Sequence, residues 1–150
     1  MNNDIKYVSG DFDKESGKST VILKYKNKLY SGEAYLHPSD IGYGSTYTGC
    51  TIAEIRATIE VLKDKINEAK AEYKVCKNFV SACSCYNKFN AEDPSAKAVF
   101  RQLNRKKANI NKLYREIENL KEQEKTIIDA RDKYIQKRKQ AEYESKEVNE

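Results

Sequence analysis

Apolar and polar positions along this chain follow two different periods, and the change falls near residue 38. Residues 18–26 (KSTVILKYK) and 29–37 (LYSGEAYLH) are β-branched and aromatic runs on either side of Asn27-Lys28. Two residues between two such runs predict a hairpin, with Asn27 supplying the positive φ that the turn needs. Residues 6–9 predict a third strand, joined through the polar loop GDFDKESG. A small sheet of this kind needs a helix against one face to be stable in water. Pro38 holds His37 extended and ends the strand. Residues 38–50 hold three of the six glycines and predict an ordered connector or a binding loop. Thr51 and Glu54 then have the spacing of a capping box, which predicts the start of a helix.

From residue 51 the period is helical. Ile52, Ile59, Ile66, Tyr73 and Val80 repeat every seven residues, and so do Ile55, Leu62, Ala69, Cys76 and Cys83. That is the a/d seam of a long helix packed on other helices. The stretch SCYNKFNAED interrupts it, and Asp93-Pro94 restarts it as N-cap and first helical residue. The second helix keeps its seam through Ala96, Val99, Leu103, Ile110, Leu113, Ile117, Leu120, Ile127 and Tyr134. At ~1.5 Å per residue it would reach ~75 Å, against ~50 Å for the first helix. An antiparallel pair leaves its last 20–30 or so residues either as a solvated extension or covered by another protomer, and the persisting seam favours the second. The expectation is therefore an α+β chain, a single domain over residues 1–150. It comprises a β-sheet core at 1–37, a connector at 38–50 and a long antiparallel helical hairpin at 51–150 that forms an intermolecular bundle.

Composition narrows the classes. With 150 residues, 34% of them charged and 39% hydrophobic, the chain can build one modest core. No run approaches the ~20 apolar residues of a membrane span. The N-terminal MNNDIKYVSGDFDKE lacks the apolar stretch of a secretory signal, so a soluble intracellular protein is expected, with its four cysteines reduced. The spacing of Cys76, Cys83 and Cys85 lacks the paired knuckles of a zinc site. One histidine, His37, and no nucleophile, phosphate-loop or metalloprotease motif leave no visible catalytic constellation. The expectation is no enzyme, no metal and no cofactor.

Charge supplies the chemistry. The net charge is +5, and residues 1–50 contribute six basic and six acidic side chains, so the excess lies after residue 50. From Ser95 to Arg115 there are seven Lys or Arg and no acid. Lys97, Arg101 and Arg105 fall four apart on one helix face, an arrangement suited to phosphate oxygens. The interhelical stretch brings Tyr86, Asn87, Phe89 and Asn90, with Phe79 and Phe100 on the flanking helices. Aromatic faces stack on bases and amides read their polar edges, so this company suits a nucleotide. The plain alternative is a solvated helix face beside ordinary hairpin-loop residues. Arg56, near the start of the first helix, is a second candidate for an anion; a salt bridge to Glu60 is its simpler alternative.

The stretch YSGEAYLHPSD…S…TGCTIAEIRATIEVLKDKI, between a small sheet and two long helices, resembles phage proteins that counter the Thoeris immune system. That resemblance implies a sponge, which sequesters a cyclic ADP-ribose isomer made by a TIR enzyme without cleaving it. It implies a sheet core, two long helices packed between protomers, a homodimer or larger homo-oligomer, and action in the cytoplasm of an infected bacterial host. The family's pocket uses aromatic, Asn and Arg side chains; here Phe79, Phe89, Asn87, Asn90, Arg101 and Arg105 are the residues of those types in place. On this reading Arg101 and Arg105 hold the pyrophosphate, Phe79 or Phe89 stacks on adenine, and Asn87 or Asn90 reads polar edges. Some hexameric members also hold cyclic oligonucleotides at separate sites, which extends the expected partners. The rival expectation is a phage coiled-coil protein that binds nucleic acid or a protein partner through the basic second helix.

Overall fold

The computed structural model describes residues 4–85 and 93–147. Three strands, β1 (Ile5–Asp13), β2 (Lys18–Tyr25) and β3 (Lys28–Tyr35), precede two long helices, α1 (Thr46–Cys85) and α2 (Pro94–Glu147). The fold is α+β, with the strands in an antiparallel meander of order β1-β2-β3. Two compact units divide the chain: Met1–Val61 with Asn119–Glu150, and Leu62–Glu118.

In the first unit the sheet has a buried and an open face. Burial alternates along β2, with Ser19, Val21, Leu23 and Tyr25 inward, as expected of a sheet packed on one side only. Val21, Leu23 and Ala34 form the core with Ile52, Ala53 and Ala57 of α1, and Val61 packs with Tyr25 and Tyr30. The helix comes close because the residues between it and the sheet are small. A Cβ on Gly32 would collide with the Ala53 carbonyl, and one on Gly49 with the Ser19 side chain.

Four expectations are corrected here. The first strand runs on to Asp13, through half of the stretch read as a polar loop. A bulge at Val8, between Tyr7 and Ser9, shifts its register by one and masks the period-two signal. Tyr25 pairs with Lys28, so the hairpin turn is Lys26-Asn27, and Lys26 rather than Asn27 takes the positive φ of 53°. The first helix starts at Thr46, not after residue 50: the Thr48 amide donates to the Ser45 hydroxyl at 3.5 Å. Thr51 lies inside the helix and donates to the Tyr47 carbonyl at 2.8 Å, a common use of a helical threonine.

The fourth correction concerns the end of α2. Ile127 and Ile128 pack on the core of the first unit, so at these positions the chain's own sheet and α1 lie against α2. Ile135 is 1% exposed whereas Tyr134, the expected seam residue, is 52% exposed. A straight helix drifts ~20° per heptad against a strict seven-residue repeat, so the inward position moves one residue on. The N-terminus of α2 matches expectation, with the Asp93 carboxylate accepting from the Ser95 amide at 3.1 Å and Pro94 following.

In the second unit, Leu62, Ile66 and Val80 of α1 are buried, as are Ala96, Ile110, Leu113 and Ile117 of α2. All are expected seam positions; Ala69, Tyr73, Cys76, Val99 and Leu103, also on that seam, are half-buried.

Candidate functional site

The candidate site lies in the second unit, on residues of α1 off the seam. Ala71, Val75 and Phe79 recur every four residues and form an apolar row on one helix face. Val75 is 71% exposed and Phe79 59%. With Glu72, Cys76 and Lys106 they line a depression of about 570 Å³, within the range of small-molecule sites. At its rim Lys106 Nζ lies 3.0 Å from Glu72 Oε2, with both side chains substantially exposed. A pair so exposed is worth little and can be exchanged for a ligand phosphate.

Arg101 and Arg105 are exposed on α2 and form no ion pair or hydrogen bond with the described residues. Neither lines the depression, so the structure brings Lys106, not these arginines, to Phe79. Asn87, Phe89 and Asn90 lie outside the described residues. Val75 and Lys106 had not been singled out. The signal for Val75 was its spacing from Phe79, four residues away and off the a/d seam. Lys106 is one of the seven cations between Ser95 and Arg115, and nothing in the sequence but its seam position sets it apart from the other six. Beside them, Lys70 Nζ sits 5.2 Å from the centre of the Tyr114 ring.

Arg56 is engaged elsewhere, in the first unit. Its Nε donates to Glu124 Oε1 of α2 at 2.6 Å, and its Nη1 to the Glu33 carbonyl of β3 at 2.7 Å. Its partners are therefore on α2 and the sheet, not along α1 as a Glu60 bridge would require. With Tyr25 and Lys28 closing the turn, the alternation along β3 leaves the Glu33 carbonyl on the free edge of the sheet. One guanidinium thus satisfies an edge acceptor and ties α1 to α2 and β3, which also blunts that edge against pairing.

The glycine-containing connector is tied to the last turns of α2. A short 3-10 helix, Pro38–Asp40, is capped by His37, whose Nδ1 accepts from the Ser39 amide at 3.3 Å. Asp40 pairs with Lys139, and the Tyr43 hydroxyl donates to Glu142. Arg138 and Lys139 lie over the Tyr43 ring, 5.8 and 5.6 Å from its centre. The Lys139 ammonium beside Asp40 holds that carboxyl below the usual carboxylate range. The hydrogen bond from Tyr43 lowers Glu142 in the same way, and the shared proton raises the Tyr43 phenol. Residues 95 or more apart make this cluster, so no local pattern announced it.

Among the described residues no group of three or more His, Cys, Asp or Glu could hold a metal ion. No helix of the described residues is long and apolar enough to cross a membrane. Compared with protein-family models, with curated proteins and with solved structures, the chain matches none.

Proposed function

We propose that this chain captures a cyclic ADP-ribose signal of the kind made by TIR enzymes and holds it uncleaved, as the phage anti-Thoeris proteins it resembles do. The observation that carries the proposal is Phe79, exposed beside an apolar depression of about 570 Å³ whose rim is the cation Lys106. A base stacked on a phenyl ring gains ~1–3 kcal/mol, and a pyrophosphate exchanges readily into a weak surface ion pair. Arg101 and Arg105, free of ion pairs with the described residues, supply bidentate donors on the same helix as Lys106. Capture requires tight binding and slow release but no acid, base or nucleophile. A second copy's helices closing over Val75 and Phe79 would complete the pocket as a homo-oligomer, acting in the cytoplasm of the infected host.

One observation favours a second reading. Arg101, Arg105, Lys107, Lys112 and Arg115 are all exposed on α2 without lining the depression, a surface that could instead bind nucleic acid or an acidic protein partner. Glu118 and Glu122, exposed further along, interrupt that stripe.

The test is capture and release. The protein is incubated with the product of a TIR enzyme and removed by filtration; it is then heated, and the released nucleotide is assayed. Depletion of the filtrate and recovery of intact signal support the proposal. A degraded product would indicate an enzyme, and no depletion would leave the nucleic-acid or protein-partner reading. Phe79→Ala should weaken capture by about tenfold or more, the equivalent of ~1.4 kcal/mol. Full capture by Phe79→Ala and by Arg105→Ala would remove the site from these residues.

A further inference from the structure

The open face of the sheet is ordered by charge along the strands. Register places Lys6, Lys24 and Leu29 at one level, then Ser9, Ile22 and Ser31, then Asp11, Thr20 and Glu33, then Asp13, Lys18 and Tyr35. Nothing among the described residues covers this face. Val8 at the bulge is 50% exposed, Leu29 60% and Tyr35 55%. Lys6 and Lys24 are direct cross-strand neighbours, a like-charge pairing that costs stability when uncompensated. Neither makes an ion pair with the described residues, and nor does Asp11; Glu33 and Lys18 pair with each other at 2.7 Å. The Lys6 and Asp11 levels are four residues apart along β2, roughly 13 Å at about 3.3 Å per residue, so they cannot pair within one chain. The face is therefore basic at one end, apolar around Val8 and Ile22, and acidic at the other.

We infer that this face pairs with the same face of a second copy of the chain. A two-fold axis lying across the strands at the Ile22 level reverses the order of the rows. Lys6 then meets Asp11 of the partner subunit, and the reciprocal pair forms by symmetry. Lys24 falls beside the Thr20–Glu33 row, and the apolar centre around Val8 and Ile22 stacks on itself. Like-charge crowding at the Lys6–Lys24 pair is relieved by the opposite charge at a matching spacing. A second copy carries that charge in the reversed order required. Sheets packed in this way lie ~10 Å apart with strands within ~30° of parallel or antiparallel, which leaves room for such side chains to interdigitate.

Size limits the strength of the contact. Three strands at ~4.8 Å spacing and about eight residues at ~3.3 Å cover roughly 380 Å², well under the ~800 Å² per partner of a stable interface. The pairing is weak alone and salt-sensitive, and it gains from any other contact that already holds two copies together. It does not depend on the capture reading, since it uses neither Phe79 nor the basic stretch of α2.

Charge reversal tests it. Sedimentation velocity of the full chain at low salt is followed over a rising concentration series. Wild type should show concentration-dependent association, which Lys6→Asp and Asp11→Lys each weaken about tenfold or more, ~1.4 kcal/mol each. The double variant, Lys6→Asp with Asp11→Lys, should recover it, and an equimolar mixture of the two single variants should associate more strongly than either alone. Both side chains are exposed, and thermal melts check that each variant folds. The inference is overturned if wild type shows no association that salt weakens, if the single variants associate as wild type does, or if the double variant and the mixture fail to recover. Any helix-mediated oligomer is common to all five samples, so the differences among them carry the result.

Discussion

The two units of this molecule use the same two helices for different ends. In the first, Met1–Val61 with Asn119–Glu150, the helices are partners for a sheet. Small residues let α1 approach β3, Arg56 ties three elements together, and a connector is pinned across the end of α2. In the second, Leu62–Glu118, the seam is buried, but an apolar row and a basic run remain open to solvent. The difference separates the part that carries stability from the part to which capture is proposed. Long-range hydrogen bonds and close packing mark the part that holds the fold, whereas unpartnered Phe79 and Val75 mark the part with surface left for a ligand. Mutations should therefore separate into those that unfold the sheet unit and those that change capture alone.

The largest effect is expected at Gly32. Its missing side chain lets the α1 backbone at Ala53 and Ala57 lie against β3, and both neighbours are backbone that cannot swing aside. Gly32→Ala should destabilise the protein by about 3 kcal/mol, the upper part of the usual overpacking range, as read by urea unfolding. Phe79→Ala is the counterpart in the other unit: an exposed side chain, so a change in stability within ~0.5 kcal/mol while capture falls. A Gly32→Ala protein as stable as wild type would mean that the helix can retreat from the sheet, and the contrast between the units would weaken.

Arg56 gives the next largest effect. Arg56→Met keeps the aliphatic stem but leaves the Glu124 carboxylate and the Glu33 carbonyl without their donor. Glu124 is 18% exposed, so water compensates only in part. A loss of about 2 kcal/mol in chemical unfolding is expected, with only partial rescue by Arg56→Lys, because an ammonium cannot fork to both acceptors. Undiminished capture of signal by the Arg56→Met protein would place Arg56 in the scaffold; loss of capture at unchanged stability would return it to the ligand site.

Much of this division was legible in the sequence, and the failures have physical causes. The hairpin, the meander and both helical seams follow from periods of two and seven. Asp93-Pro94 gave the start of α2 because capping is a local property. The start of α1 was misplaced because Thr51 and Glu54 satisfy the capping-box pattern, although the helix had already begun behind Ser45. The bulge hid half of β1 because one inserted residue inverts the alternation on which strand reading depends. Helix lengths alone leave the end of α2 bare, which points to another protomer for its cover. That the sheet itself lies there is a matter of three-dimensional return, which the Ile127 and Ile128 spacing does not encode. Within the candidate site, the aromatic and basic residue types were visible, but which cation sits beside Phe79 was not. Lys106 reaches it from another helix, and cross-helix register is set by packing rather than by any single residue.

The smallest effect is a pH window for the connector. Asp40 and Glu142 have carboxyls held below the usual range by Lys139 and by Tyr43, so their ionised forms are favoured by folding. Such groups contribute fully above the ordinary carboxylate range and lose that contribution as pH falls through it into the depressed range. Tyr43 is shifted the other way. Its phenol is raised by the bond to Glu142, so its contribution is complete below the ordinary tyrosine range and is lost as pH rises through the raised value. The connector should thus stay docked at neutral pH and loosen at both extremes. All three groups are solvent-accessible, so the change should be confined to the connector and the last turns of α2, without global unfolding. Amide exchange in residues 134–146 measured across pH, with the intrinsic pH dependence of exchange removed, reads it directly. Tyr43→Phe should abolish the alkaline limb and leave the acid limb, which Asp40 and Lys139 still supply. An alkaline limb that survives in Tyr43→Phe would assign it to the lysines around the site instead. The same variant should leave the capture proposed for the second unit unchanged, because the connector belongs to the unit that holds the fold.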